Sequence, residues 1–291
     1  MKQKIKNFHD KYYKLLLIIP LAIIIFSFIY LGIFYSNNGD FIYKDISLTG
    51  GTSVTIQGNF DLEKLNNDLS SNLENLNIKE ISDVITREQK AVIIETTTDG
   101  DLTKQILENY FGYGLNSQNS SFEFTGSVLS ETFYKQLLIA ILLAFVFMAF
   151  VVFIIFRTFV PSAAVIISAF ADILMTLVLV DILGIKMSTA GIVAFLMLIG
   201  YSVDTDILLT TRILKRTSTS INERLFGAFK TGMTMTLTSL LAVSIALVIV
   251  YSFSIILTQI FTILVIGLVF DIFNTWITNA SIIKWYAKNK K

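Results

Sequence analysis

Six apolar runs constrain this 291-residue chain more than any other feature. They are Leu15–Tyr35, Gln136–Phe156, Ser162–Leu183, Thr189–Leu209, Thr234–Val250 and Ile255–Ile277. A bilayer core takes about 20 helical residues to cross, and each run approaches or exceeds that length. Composition agrees, with 54% hydrophobic and only 15% charged residues, against roughly 25% charged in a soluble domain. The expected fold class is therefore an α-helical polytopic membrane protein with six transmembrane helices. Residues 36–135 are left as the one long soluble stretch, between helices 1 and 2. The first run is too long for a signal-peptide core of about 7–15 residues, and no small-residue cleavage site follows it. It is read as a retained anchor, bent at Pro20.

Charge placement gives the expected orientation. Lys2, Lys4, Lys6, Lys11 and Lys14 precede the first run. Arg157, then Arg212, Lys215, Arg216, Arg224 and Lys230, then Lys284, Lys288, Lys290 and Lys291 fall on the same side. The opposite short loops hold only Lys186. Tail residues 1–14 and 284–291 are thus expected in the cytoplasm, and residues 36–135 outside the cell membrane. The net charge of +1 gives no argument for nucleic acid as a partner. With no cysteine and His9 the only histidine, disulfides, zinc–thiolate sites and any histidine-dependent site within the membrane are excluded. No metal or cofactor is expected.

Within residues 36–135, Gly51–Gln57 alternates like a strand. Asp61–Leu76 carries leucines three and four apart and predicts an amphipathic helix. Ile78–Thr86 and Ala91–Thr97 read as strands, Asp101–Phe111 as a helix and Ser120–Thr125 as a last strand. The order β-α-β-β-α-β predicts an α+β ferredoxin-like domain, joined to the spans only through Ser36–Lys44 and Thr125–Lys135 and so expected to move. The Gly50-Gly51 pair is either a turn into the first strand or a close backbone approach. Asn119-Ser-Ser fits a glycosylation acceptor.

Acids in spanning helices are costly and carry function by default. Asp172 lies roughly 15 Å along its helix from Ser162, and Asp204 roughly 12 Å from Arg212, at 1.5 Å per residue. Asp204 and Asp206 are two apart and point to nearly opposite faces. Asp172, Asp204 and Asp206 are the candidates for a proton relay, since burial and a second carboxylate both favour a retained proton. The competing reading is a neutral acid bonded across helices, with Thr234, Thr236, Thr238 and Ser239 as partners. Asp181 and Asp271 lie nearer span ends and are expected to reach water or headgroups. Gly200 and Ser202 are small enough to let another helix approach.

Three motifs carry a family resemblance. Leu48-Thr49-Gly50-Gly51-Thr52 is similar to a D-F-T-G-G-T element. The segment Phe124-Thr-Gly126 to Glu131 is similar to a V-G-P-x-V-x-x-E segment. Gly200-Tyr201-Ser202-Val-Asp204-Thr-Asp206, continuing to Arg212, is similar to G-Y-S-x-N-D-S/T with its basic continuation. Together, and in this order, they resemble the SecF family of Sec protein export, in its archaeal form. The resemblance implies a fold of the resistance-nodulation-division (RND) transporter type. It also implies SecD as a pseudo-symmetric partner in the lipid bilayer, association with the Sec translocation channel, secreted or membrane proteins as substrates, and use of the proton gradient. Two positions depart from the bacterial pattern: its acid falls at Thr205, and its fifth-span arginine falls near Met233. Alternatives are half of an RND-type small-molecule/proton antiporter, a structural partner of SecD with no proton site, and an intramembrane aspartyl protease.

Overall fold

A computed structural model of the chain describes residues 12–83, 86–215 and 219–289. The lysines before Tyr12, His9, Arg216, Lys290 and Lys291 lie outside the described residues. Six helical segments are long and apolar enough to cross a membrane, and a four-stranded sheet sits between the first and second.

Helix α1 (Ile18–Asn38) continues a helical stretch that begins at Tyr12. The two are separated by a turn at Leu17, beside Pro20, which has no N–H to give back along the helix. Gly39, at φ +73°, closes the helix by donating to the Tyr35 carbonyl at 2.8 Å. A single turn, α2 (Ile46–Thr49), is capped by Asp45, which accepts from the Ser47 N–H.

The α+β domain runs β1 (Gly51–Gln57), α3 (Leu62–Leu69), β2 (Asn77–Ser82), β3 (Gln89–Thr96), α4 (Gly100–Phe111) and β4 (Ser120–Thr125). The sheet order is β2-β3-β1-β4 and every pairing is antiparallel. Alternation puts Val54 and Ile56 of β1 with Val92 and Ile94 of β3 on one face, where Leu65, Leu69 and Leu107 from the two helices cover them. The other face carries Ser53, Thr55, Lys79, Glu95 and Glu123. It looks across a cavity of about 280 Å³ at Ser188, Thr189, Ile256 and Gln259 on the spanning helices.

Several elements differ from expectation, each for a local reason. Helix α3 stops at Leu69, seven residues short of Leu76. The Ser70-Ser71-Asn72 run, poor in helix propensity, turns there, and Leu73 is still delivered to the core. Strand β2 ends at Ser82, where its register with β3 slips. Asp83 then accepts from the Thr86 N–H in a turn, so Thr86 is not strand. Strand β3 starts at Gln89 and ends at Thr96 rather than Thr97. The Gly50-Gly51 pair is a close approach as well as a turn. Both residues have positive φ (+81° and +146°). A Cβ on Gly50 would lie 2.6 Å from the Ser127 nitrogen, and one on Gly51 3.1 Å from the Thr96 carbonyl carbon. Alanine fits neither position.

Nor is the domain held only by its two linkers. Met187 donates to the Tyr43 carbonyl at 2.6 Å and accepts from the Asp45 N–H at 2.9 Å. The Thr189 N–H donates to Ser47 Oγ at 3.2 Å, and the Ser82 N–H to the Ser252 carbonyl at 3.0 Å.

The remaining helices are α5 (Ser127–Phe156), α6 (Phe159–Ile182), α7 (Thr189–Lys215), α8 (Ile221–Val250) and α9 (Ile255–Phe273). Helix α9 opens into a π-helical segment, Asn274–Asn279, and continues as α10 (Ala280–Asn289). Helix α5 starts nine residues before Gln136, directly after Gly126. The expected loop from Arg212 to Lys230 is mostly helix. Ser220 and Glu223 form a capping box at the start of α8. Arg212 Nη1 donates to the Gly227 carbonyl at 2.7 Å, and Arg224 donates to the Ile213 carbonyl, stapling α7 to α8. Lys284, expected to open a solvated tail, is buried in α10, its ammonium 5.3 Å over the Tyr13 ring.

Helices α6 and α7 are the most enclosed of the six, while α5 and α8 bury little of their surface. Phe195 and Leu198 of α7 meet Val180 of α6 and Ile263 and Leu264 of α9. Gly267 on α9 makes room for Leu198, whose side chain a Cβ there would strike. Gly200, expected to admit a neighbouring helix, meets nothing within 4 Å.

Candidate functional site

Polar side chains gather where α6, α7 and the π-helical segment meet. Asp172 on α6 is fully buried. Ser202 Oγ donates to its Oδ2 at 2.5 Å, and Asn274 Nδ2 donates to its Oδ1 at 2.7 Å. Asp206 on α7 is likewise fully buried. Its Oδ1 accepts from Asn279 Nδ2 at 2.7 Å and from Ser168 Oγ at 3.3 Å. A third acid, Asp271 on α9, is also fully buried and accepts from Thr275 Oγ1 at 3.1 Å. Asp172 lies within electrostatic reach of Asp271 and Asp206, and Asp271 within reach of Asp206. Thr278 donates to Asn274 Oδ1 at 3.0 Å, which fixes that amide with its nitrogen toward Asp172.

The π-helical segment makes this arrangement possible. Asn274 and Asn279 are five apart and would sit roughly 140° from each other around an α-helix. The wider i→i+5 turn brings both amides toward the acids, one to Asp172 and one to Asp206. Three buried oxygens in the cluster have no hydrogen-bond partner among the described residues: Asp206 Oδ2, Asp271 Oδ2 and Asn279 Oδ1. An ionised carboxylate only accepts, whereas a protonated one donates. A proton added here finds acceptors already in place.

Of the three acids singled out from the sequence, Asp172 and Asp206 come together and Asp204 does not. Asp204 is exposed on the opposite side of α7, with Tyr201 beside it. Asp271 was expected near a span end, but the last span runs on to Asn289, which leaves it in the interior. The signal for it was the polar run Asn274, Thr275, Thr278 and Asn279 directly after it in an otherwise apolar segment. Asp181 is buried too. Of the fifth-span hydroxyls, Thr236 meets Thr205, hydroxyl to hydroxyl at 3.4 Å, and Thr234 and Thr238 bond back into their own helix.

The remaining motif residues lie outside the cluster. Thr49 Oγ1 donates to the Asp45 carbonyl at 3.3 Å and Thr52 Oγ1 to the Thr98 carbonyl at 2.9 Å. Gly126 caps α5. Asn119 spends its amide nitrogen on the Gly114 carbonyl at 3.0 Å.

A multi-span membrane protein with a buried carboxylate cluster is what this fold and site define. Residues 104–289 match the family described as "Protein export membrane protein SecD/SecF, C-terminal". The Protein-export membrane protein SecF of Methanocaldococcus jannaschii is 42% identical over 282 residues, covering 95% of this chain and 96% of that protein. The SecF of Pyrococcus furiosus is 33% identical over 293 residues, covering 100% and 97%. The chain belongs to the SecF branch of the SecD/SecF family of protein-export membrane proteins. A crystal structure of SecDF from Thermus thermophilus, a translocon-associated membrane protein, shares the fold with a TM-score of 0.74 at 18% identity. The match covers 95% of this chain but only 38% of that one.

Proposed function

We propose that this chain acts with SecD as an accessory subunit of the Sec machinery, promoting passage of proteins across the cytoplasmic membrane. In this reading Asp172, Asp206 and Asp271 take up and release protons, coupling the complex to the proton gradient. The termini are cytoplasmic and the β-α-β-β-α-β domain, ferredoxin-like, works outside. The observation that carries the coupling is the cluster itself: three carboxylates from three spans, buried together and bonded to serine, threonine and asparagine. A carboxyl group can carry a proton or give it up, and three of them gathered from three spans offer a conformational change a site at which to do both.

Asparagine keeps the size of an aspartate and its capacity to hydrogen-bond but cannot ionise. Cells whose only copy carries Asp172→Asn, Asp206→Asn or Asp271→Asn should export a secreted reporter poorly at normal membrane levels of the protein. Normal export by all three would make the acids packing elements and the chain a scaffold for SecD.

A further inference from the structure

The two sides of the carboxylate cluster are unlike. Toward the α+β domain the enclosing helices carry almost nothing polar. Helix α7 has no polar side chain from Ala190 to Ile199. Between Asp172 and Val180, α6 has only Thr176, whose hydroxyl bonds back to the Asp172 carbonyl at 2.6 Å. Between Ile260 and Phe270, α9 has only the half-buried Thr262. In this stretch Val180, Phe195, Leu198, Ile263 and Leu264 pack into one layer, none of them more than 3% exposed. The layer separates the acids from the polar cavity lined by Ser188, Thr189 and Gln259. Gln259 lies roughly 18 Å along α9 from Asp271. Contact is tightest at Leu198. A Cβ on Gly267 would lie 2.5 Å from both Leu198 Cδ atoms, so α7 and α9 meet here with no space for a water between them.

On the side away from the domain, polar groups continue. Asn279 Nδ2, bonded to Asp206, also lies 3.5 Å from Thr210 Oγ1. Thr210, Asn279 and Ser281 are fully buried, and Asn279 Oδ1 and Ser281 Oγ have no hydrogen-bond partner among the described residues. Lys284 follows one turn on, its ammonium over the Tyr13 ring. Buried polar atoms are costly unless bonded, and such atoms are what a water or a proton in passage bonds to. An apolar constriction, by contrast, sheds water and closes a path. We infer that the Leu198 layer, seated on Gly267, is a hydrophobic gate that shuts the acids off from the domain side, while they exchange protons with the far side past Asn279, Thr210 and Ser281. This rests on the proton-coupled function proposed above and gives it a direction: in that orientation the closed side is the outside and the open side the cytoplasm. Helices α7 and α9 carry Asp206 and Asp271 as well as the two faces of the gate, so a movement that parts the gate also moves the acids.

The test uses the full chain with the SecD of its own genome, reconstituted together in liposomes that hold a trapped pH dye, and reads proton entry under an imposed membrane potential. Leu198→Ser removes the bulk of the gate and adds a hydroxyl, whereas Leu198→Met keeps its volume and apolar character. Expected are a several-fold rise in proton entry for Leu198→Ser, none for Leu198→Met, and a return to the parent's rate when Leu198→Ser is combined with Asp206→Asn or with Thr210→Val. Where Leu198→Ser does not reconstitute, Phe195→Ser, one turn nearer the domain, opens the same layer. Parent-like rates for the serine variants overturn the gate and leave the coupling to be judged by export of the asparagine variants. A leak that Asp206→Asn stops but Thr210→Val does not overturns the far-side route. A leak that survives Asp172→Asn, Asp206→Asn and Asp271→Asn together bypasses the acids, and the gate and the proton reading then fall together.

Discussion

At the scale of single residues, the protein separates acids by where their neighbours put them. Asp204 and Asp206 are two residues apart, yet one is exposed and the other is enclosed, bonded to Ser168 and Asn279. The enclosed acids depend on donors that cannot be replaced by hydrocarbon. Asn274→Leu would take the donor from Asp172 and the acceptor from Thr278 together. Each buried polar group left without a partner costs about 1–3 kcal/mol, so the variant should unfold in detergent at a distinctly lower temperature. An unchanged transition would mean that Asn274 does not hold Asp172. Much of this was legible beforehand. An aspartate inside an apolar run announces itself, and the helical period alone sets Asp204 opposite Asp206. Asp271 was misread because polar residues at 274, 275, 278 and 279 look like the end of a span. The π-helical turn is what carries the Asn274 and Asn279 amides to neighbouring acids, and no periodicity in the sequence reveals one.

Secondary-structure elements show a second division of labour. The sheet presents an apolar face to its own helices and a polar one to the spanning bundle, and Lys79 on β2 is the centre of the polar face. Its ammonium lies 2.7 Å from Glu95 and 3.1 Å from Asp45, the residue that also bonds to Met187 of the spanning part. Burial works to lower the affinity of Lys79 for its proton, but the two carboxylates outweigh it and hold the pKa above its usual value. A raised lysine pKa means the tie is complete below the ordinary value of 10.5 and is lost only as pH climbs past the folded-state value. Protease cleavage near Asp45 should therefore be flat between about pH 7 and 9 on account of Lys79, and should rise in Lys79→Met at every pH in that window. Equal cleavage of variant and parent would remove Lys79 from the docking. The succession of strands and helices in this domain was readable from alternation and turn signals. Its second set of attachments was not, because backbone bonds such as those of Met187 leave no mark in side-chain pattern.

Across the whole molecule, the α+β domain rests against the spanning bundle through Met187, Thr189 and Ser252 as well as its two linkers. The Ser82 N–H reaches the Ser252 carbonyl at 3.0 Å, so these two backbones are close. The chain has no native cysteine, which makes a locking experiment clean. Ser82→Cys with Ser252→Cys, oxidised, should hold the domain in this docked position and depress export, and a reductant should restore it. Export undiminished in the locked form would mean that the docked arrangement serves the entire cycle.

The sheet order also governs when the domain can come into being. Strand β1 is central, and its two neighbours, β3 and β4, are made later. The last of them ends at Thr125, with only Gly126 between it and the start of α5 at Ser127. A ribosome must therefore deliver about 70 residues beyond β1 before its second edge can be covered. By then the next residues to emerge belong to a membrane helix. Completion of the sheet and insertion of the second span thus fall at the same moment of synthesis, and a delay in either leaves an open strand edge waiting on the other.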